Sequence, residues 1–402
     1  MKKKKITLAI FILLLNILAW SSRSFCDWYI AHIFPIWVNT YGRLTGLFPF
    51  SVGEWMIVAG LLLVMVAIVL GIVWGVRSLI GKIGKSLQTK GEVVGDKSRA
   101  GWGFDRFCRG FYGFFTWVLL GVGLVMTLNC VMLYHASTFS EKYLGETGEY
   151  TLEELLALRN HIVEQCNGLS EKVQRQEDGT ISYPGSTPAD GSSADMKDKA
   201  REAMQELGDQ YPQLDGYYPR PKPLFFSDFM CQQYMCGYYF PFSMEANYND
   251  VMYVMNKPAT LCHELAHLRG YIYEDEANFI GYLACIGSDD IYFQYAGYLS
   301  VLVYVENDVY RAYAADPEAF AHTAEKTGLL EVLPQVWEDN VFVEKEEWER
   351  INKKALIETE TVDRVTNTLV DTSLKANGVS DGKVSYSRVV SLLLQYYRRK
   401  DF

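Results

Sequence analysis

His263 and His267 stand four residues apart in "LCHELAH", with Glu264 directly after the first of them. Leu261, Cys262, Leu265, Ala266 and Leu268 place apolar side chains at helical spacing through the same stretch. At 3.6 residues per turn the two imidazoles then lie one above the other, where both can reach a single zinc ion. Glu264 sits beside such a metal without ligating it and is placed to take a proton from a water that the metal activates. The string HExxH arises by chance in about one chain of this length in a hundred, so by itself it is a moderate signal. The competing reading is a charged helix whose histidines are merely solvated.

A zinc site of this kind needs a third protein ligand and an open position for water. Gly270 can end the helix and turn the chain, and "EDEANFIGYLAC" (274–285) reads as a second helix. On it Glu274, Ala277, Asn278 and Gly281 share one face, and three of the four are small, so this face can lie close to the histidine helix. Glu276 shares its face with Phe279, Ile280 and Leu283, which has the character of core. Glu274 is therefore preferred over Glu276 as the third ligand. Asn278, one turn on, can reach the back of a ligating histidine and fix its tautomer.

The elements that must hold this centre begin with three apolar stretches, about 6–21, 55–76 and 111–134, each long enough to cross a bilayer. The first follows Lys2 to Lys5 and has no small-x-small cleavage site after it, so it is read as an uncleaved span and not a signal peptide. The segment 77–110 carries eight Lys and Arg, from Arg77 to Arg109, against Glu92, Asp96 and Asp105, which places it in the cytoplasm by the positive-inside rule. This divides the chain into a membrane anchor, 1–135, with a cytoplasmic N-terminus, and an extracytoplasmic domain, 136–402. The chain carries a net charge of -10, its start being basic and the second part strongly acidic, which argues against nucleic acid as a partner.

Beyond the third span, "TLEELLALRNHIVEQCN" (151–167) reads as a helix opened by a Thr151/Glu154 capping box, and 175–199 as an exposed loop. Aromatic-rich stretches from about 210 suggest short extended segments ahead of the motif, where zinc proteases often pair a substrate backbone, although the preferred reading of these aromatics is core. The apolar run at 291–305 is too broken by Gln294 and Gly297 for a fourth span. One charged helix from about 343 is expected to stop at Gly378, and a short amphipathic helix ends the chain. Cys231 and Cys236 either pair or pack, and their spacing does not suit zinc. His135, His161 and His322 are read as structural or solvent-facing, although His322 or a tyrosine is a candidate to stabilise an oxyanion.

"HELAHLRGYIYEDEANFIGYLAC", "YYFPFSMEANYN" and "KANGVSDGKVSYSRVVSLLLQYY" resemble the bacterial membrane family known as domain of unknown function 3810, over most of the chain. That resemblance implies a membrane-anchored protein with a zinc-peptidase signature. More remotely, "EDEAN" is similar to the E-x-x-A-D element of gluzincin membrane peptidases of the prenyl-protein endopeptidase type, whose first acid binds zinc; here that is Glu274, with Asn278 in place of the usual acid. The metzincin pattern ends in a third histidine where this chain has Tyr273. The expectation is a mainly α protein, with three spans and an α-rich (α+β) zincin-like outer domain. His263, His267 and Glu274 would hold Zn2+, Glu264 would be the general base, and the substrate would be a peptide or protein outside the cytoplasm. The rival is a zinc-binding sensor or structural envelope protein without turnover.

Overall fold

The computed structural model describes residues 2–88, 99–145, 150–184, 194–379 and 388–400. Three helical stretches are long and apolar enough to cross a membrane: Lys2–Ser21, Val52–Gly81 and Gly103–Tyr134. Each contains the stretch that its hydropathy predicts, and this is a membrane protein. Between the spans, the few polar groups find partners as they must in lipid. Asn16 Nδ2 donates to Thr127 Oγ1 at 2.8 Å, joining the first and third spans, and the Tyr112 hydroxyl donates to Ala67 O at 2.6 Å, joining the third and second. The third span is the most covered by protein, 28% against 6% for the others, because its end runs into the folded part.

That folded part is mainly helical. Helices Leu152–Ser170, Ala194–Gln210, Lys257–His267, Glu274–Gly287, Ile291–Ala315 and Val389–Arg398 pack into one core. The Thr151/Glu154 capping box forms as its sequence predicts. Ile291–Ala315 is a helix of the protein core, with Val301, Leu302 and Val305 buried against its neighbours. A small sheet accompanies the helices: β1 (Lys222–Pro223), β2 (Gly237–Phe240) and β3 (Glu245–Tyr248), in the order β1-β3-β2. β3 is central and fully buried, parallel to β1 and antiparallel to β2, with Gly237 opposite Tyr248 and Phe240 opposite Glu245.

Two local expectations need correction, and a third that was open between two alternatives takes the second. The loop expected over 175–199 gives way by Ala194 to the helix Ala194–Gln210, because Ala200, Ala203, Met204 and Leu207 form a buried helical stripe; residues 185–193 lie outside the described residues. The single charged helix is two, Lys345–Lys354 and Thr359–Ala376, separated by an extended Ala355 (φ -62°, ψ 129°), although the second does stop short of Gly378. Cys231 and Cys236 are free thiols; Cys231 packs against Val343 and Ile351.

The stretch between the first two spans is also ordered, as helices Arg23–His32 and Phe34–Trp37, a π turn Val38–Gly42 and a last turn Arg43–Thr45. Its Cys26, Tyr29, Phe34 and Val38 belong to the same core as Leu156, Tyr239 and Leu268, so the core runs across residue 135. Two buried carboxylates fasten the second span to the folded part. Glu245 on β3 accepts the Gly53 N–H at 2.7 Å and an ion pair from Lys222 at 2.5 Å. Glu54, in the first turn of the span, accepts the N–H groups of Phe225 and Phe226 at 2.8 and 2.7 Å. Helix N-termini leave such N–H groups without partners, and a carboxylate there is favoured by the dipole as well.

Candidate metal centre

The motif forms the C-terminal half of Lys257–His267, which starts with Pro258 in its first turn and is buried along Leu261, Cys262, Leu265 and Ala266. Gly270, at φ 91°, reverses the chain: its N–H bonds His267 O, and the next N–H, of Tyr271, bonds Ala266 O. This left-handed position suits glycine, and a Cβ there would also lie 2.8 Å from Ile30. Four residues later Glu274 opens the second helix.

The two helices cross closely at a glycine. A Cβ on Gly281 would stand 2.9 Å from Ala259 O and 3.2 Å from His263 N, so only glycine lets the backbones approach this far. Ala277 is fully buried on the same face. The crossing brings His263, His267 and Glu274 together, with one ligand atom from each within 4.8 Å of the others. His263 Nε2 lies 3.1 Å from His267 Nε2 and 3.0 Å from Glu274 Oε2, and His267 Nε2 is 3.9 Å from that oxygen.

The far side of each ring is occupied. His267 Nδ1 is 2.7 Å from Tyr271 O, a carbonyl that only accepts, so Nδ1 carries the proton and Nε2 faces the cluster with a free lone pair. His263 Nδ1 is 2.8 Å from Asn278 Oδ1, which orients the second ring in the same way. Burial, reinforced by the His263 charge, holds His267 down to about 4, so it is neutral near pH 7. Burial also disfavours a charge on His263, but the hydrogen bond and charge of Glu274 outweigh it and raise the group to about 8. Glu274 is held below the ordinary carboxyl range, the histidines overcoming the cost of its burial.

Glu264 is a buried carboxyl in the field of His263 and Glu274. Its Oε2 has no hydrogen-bond partner among the described residues, and burial pushes its pKa up to about 8. Its other oxygen, Oε1, lies 2.7 Å from where a Cβ on Gly237 would be, so the glycine that starts β2 leaves the room that Glu264 fills. The centre is not sealed, since 24% of the Glu274 side chain is exposed while that of His267 is 5% exposed.

Glu276 is elsewhere. Its carboxylate accepts the N–H groups of Phe139 and Ser140, at 2.8 and 3.0 Å, at the start of the turn that leaves the third span. Its core-like face is real, but the side chain caps a neighbouring turn. Three other histidines are also apart from the cluster: His135 packs at a tilt against Trp20, His161 bonds the Tyr397 hydroxyl, and His322 is exposed on the helix Pro317–Thr327. Tyr304, half-buried on Ile291–Ala315, was not distinguishable among the 27 tyrosines by sequence; it lies beside Asn278, which lowers its pKa against the effect of burial, and in the field of Glu274. Gly237 was missed too, since only the folded sheet brings it to Glu264.

No curated protein and no solved structure matches the chain. A family described as "Protein of unknown function (DUF3810)" matches residues 29–394, a range that takes in the second and third spans, the sheet and both helices of the centre, and the chain belongs to that family.

Proposed function

We propose that this is a membrane-anchored zinc metallopeptidase with a zincin-like centre outside the cytoplasm. The observation that carries the reading is the convergence of two imidazole Nε2 atoms and a carboxylate oxygen, with both Nδ1 atoms already engaged behind them. Three such donors at this separation repel one another unless a cation or a proton lies between them. Nitrogen and carboxylate donors in this number, with one side open, fit catalytic zinc and not a closed structural site. A zinc ion held there supplies Lewis acidity to a water and to a scissile carbonyl.

The chain's own groups account for the rest. Glu264, buried and unpartnered at Oε2, would be returned to its ionised form by a cation at the cluster, and then accepts the proton of the attacking water and passes it to the leaving amine. Asn278 and the Tyr271 carbonyl hold the two imidazoles in the ligating tautomer. β2, at the sheet edge beside Glu264, offers its backbone to an extended peptide as an added strand. The basic segment 77–110 supports a cytoplasmic position for that connection, and so an extracytoplasmic one for the centre.

The test is metal content and peptide-library cleavage by the full chain in lipid nanodiscs, wild type beside Glu264→Gln and Glu274→Ala. The expected result is one zinc per wild-type chain, retained by Glu264→Gln with cleavage reduced about 10²–10⁴-fold, and lost in Glu274→Ala. Wild type without zinc would overturn the metal centre; zinc with no cleavage of any peptide would move the sensor reading ahead.

A further inference from the structure

The folded part exposes an unusual set of large apolar side chains beside the spans. Phe225 is 74% exposed, Phe229 49% and Phe226 43%. The Glu54 carboxylate binds the backbone N–H of both Phe225 and Phe226, and the Phe225 ring lies 6.1 Å from that of Trp55. Trp55 opens the charge-free run of the second span. These phenyl rings are therefore held level with the first turn of a membrane helix, where a bilayer surrounding that helix must reach them.

A second element continues the same surface. Gln232, on the short helix that bears Phe229, donates to Ile357 O and Thr359 Oγ1, and so fixes the start of the helix Thr359–Ala376. That helix is about 27 Å long. Its other end stops at Gly378, where a Cβ would be 3.5 Å from Trp20, at the end of the first span. The helix thus runs from the end of one span to the end of another. It buries Val362 and Leu374 and exposes Val365 and Leu369, one turn apart, at 52% and 66%. Exposed apolar patches of this extent on a soluble surface mark an interaction site, and aromatic residues concentrate where membrane meets water.

We propose that Phe225, Phe226 and Phe229, together with the Val365 and Leu369 face of Thr359–Ala376, sit in the headgroup region of the bilayer as a membrane contact additional to the three spans. The occupant is lipid because the surface is continuous with Trp55 and Trp20 on spans that lipid must enclose. The contact stands whether or not the centre cleaves peptides.

Nitroxide labels at Phe229→Cys and Leu369→Cys, on the full chain in phosphatidylcholine nanodiscs, test this by collision with oxygen, which partitions into lipid, and with a water-soluble nickel chelate. Both positions are exposed, so neither substitution opens the core. Ala321→Cys on the exposed side of Pro317–Thr327 is the aqueous reference, and label on the native cysteines is subtracted using the unmutated chain. The expected oxygen-to-nickel ratio is several-fold higher at 229 and at 369 than at 321. A ratio at either position equal to that at 321 overturns the proposal, including the case in which a protein partner and not lipid covers the patch.

Discussion

Asn278 is the residue through which the centre is most open to measurement. Its oxygen holds His263 in the tautomer that leaves Nε2 free, so Asn278→Ala is expected to weaken zinc binding about 10–100-fold in chelator competition, while leaving the fold intact. Tyr304 lies beside the same side chain, which lowers its hydroxyl pKa against the effect of burial. Tyr304→Phe removes that polar contact, worth about 1 kcal/mol as a hydrogen bond, and is expected to weaken zinc several-fold, less than Asn278→Ala does, and to add nothing when the two changes are combined. An additive double variant would show instead that the hydroxyl works independently of Asn278. His263, His267 and Glu274 were legible in the sequence because helical periodicity fixes which side chains share a face. Gly237, Tyr304 and the true task of Glu276 were not, since each depends on a contact between segments far apart in the chain.

Among elements, the crossing of Lys257–His267 with Glu274–Gly287 is the most exacting. Alanine normally favours a helix over glycine, but at Gly281 its methyl would press on the backbone at Ala259 and His263, which cannot rotate away. Gly281→Ala should therefore destabilise by about 1–3 kcal/mol and reduce zinc content, seen as a lower melting temperature and less metal per chain. Asp27 ties Arg23–His32 to the end of the third span through the N–H and hydroxyl of Ser137, and these bonds with Lys142 outweigh burial to lower its pKa. A lowered folded pKa contributes stability that is present above the unfolded value of 3.8 and lost as pH falls through the folded one. The melting temperature of Asp27→Asn should accordingly lie below wild type at pH 6 and approach it as pH drops below 3.8. The spans, the capping box and the motif helix were readable from local pattern. The break at Ala355 was not, because no proline or glycine marks it, and the order of residues 23–45 was not, because their apolar side chains are committed to distant partners.

At the scale of the whole molecule, the membrane part and the folded part share one core. Lys222 and Glu245 lie at the joint, 5% and 1% exposed, and the carboxylate also holds the start of the second span. Lys222→Met leaves that carboxylate buried without its counter-charge and should cost about 3–5 kcal/mol, whereas adding Glu245→Gln to it should restore part of the loss, both read by thermal unfolding of the full chain in detergent. Cutting the chain at 135 would remove Tyr29, Phe34, Val38 and Met132 from the interior that supports Leu265 and Leu268, so a fragment from 136 onward should be recovered unfolded. The shared core has a kinetic meaning as well. A centre that cannot be shed intact works for its whole lifetime from the plane of the bilayer, and meets any lipid-anchored or membrane-spanning partner by lateral diffusion. Its effective concentration is then counted per unit area, and its encounters follow the crowding and composition of the membrane around it instead of the volume of the surrounding solution.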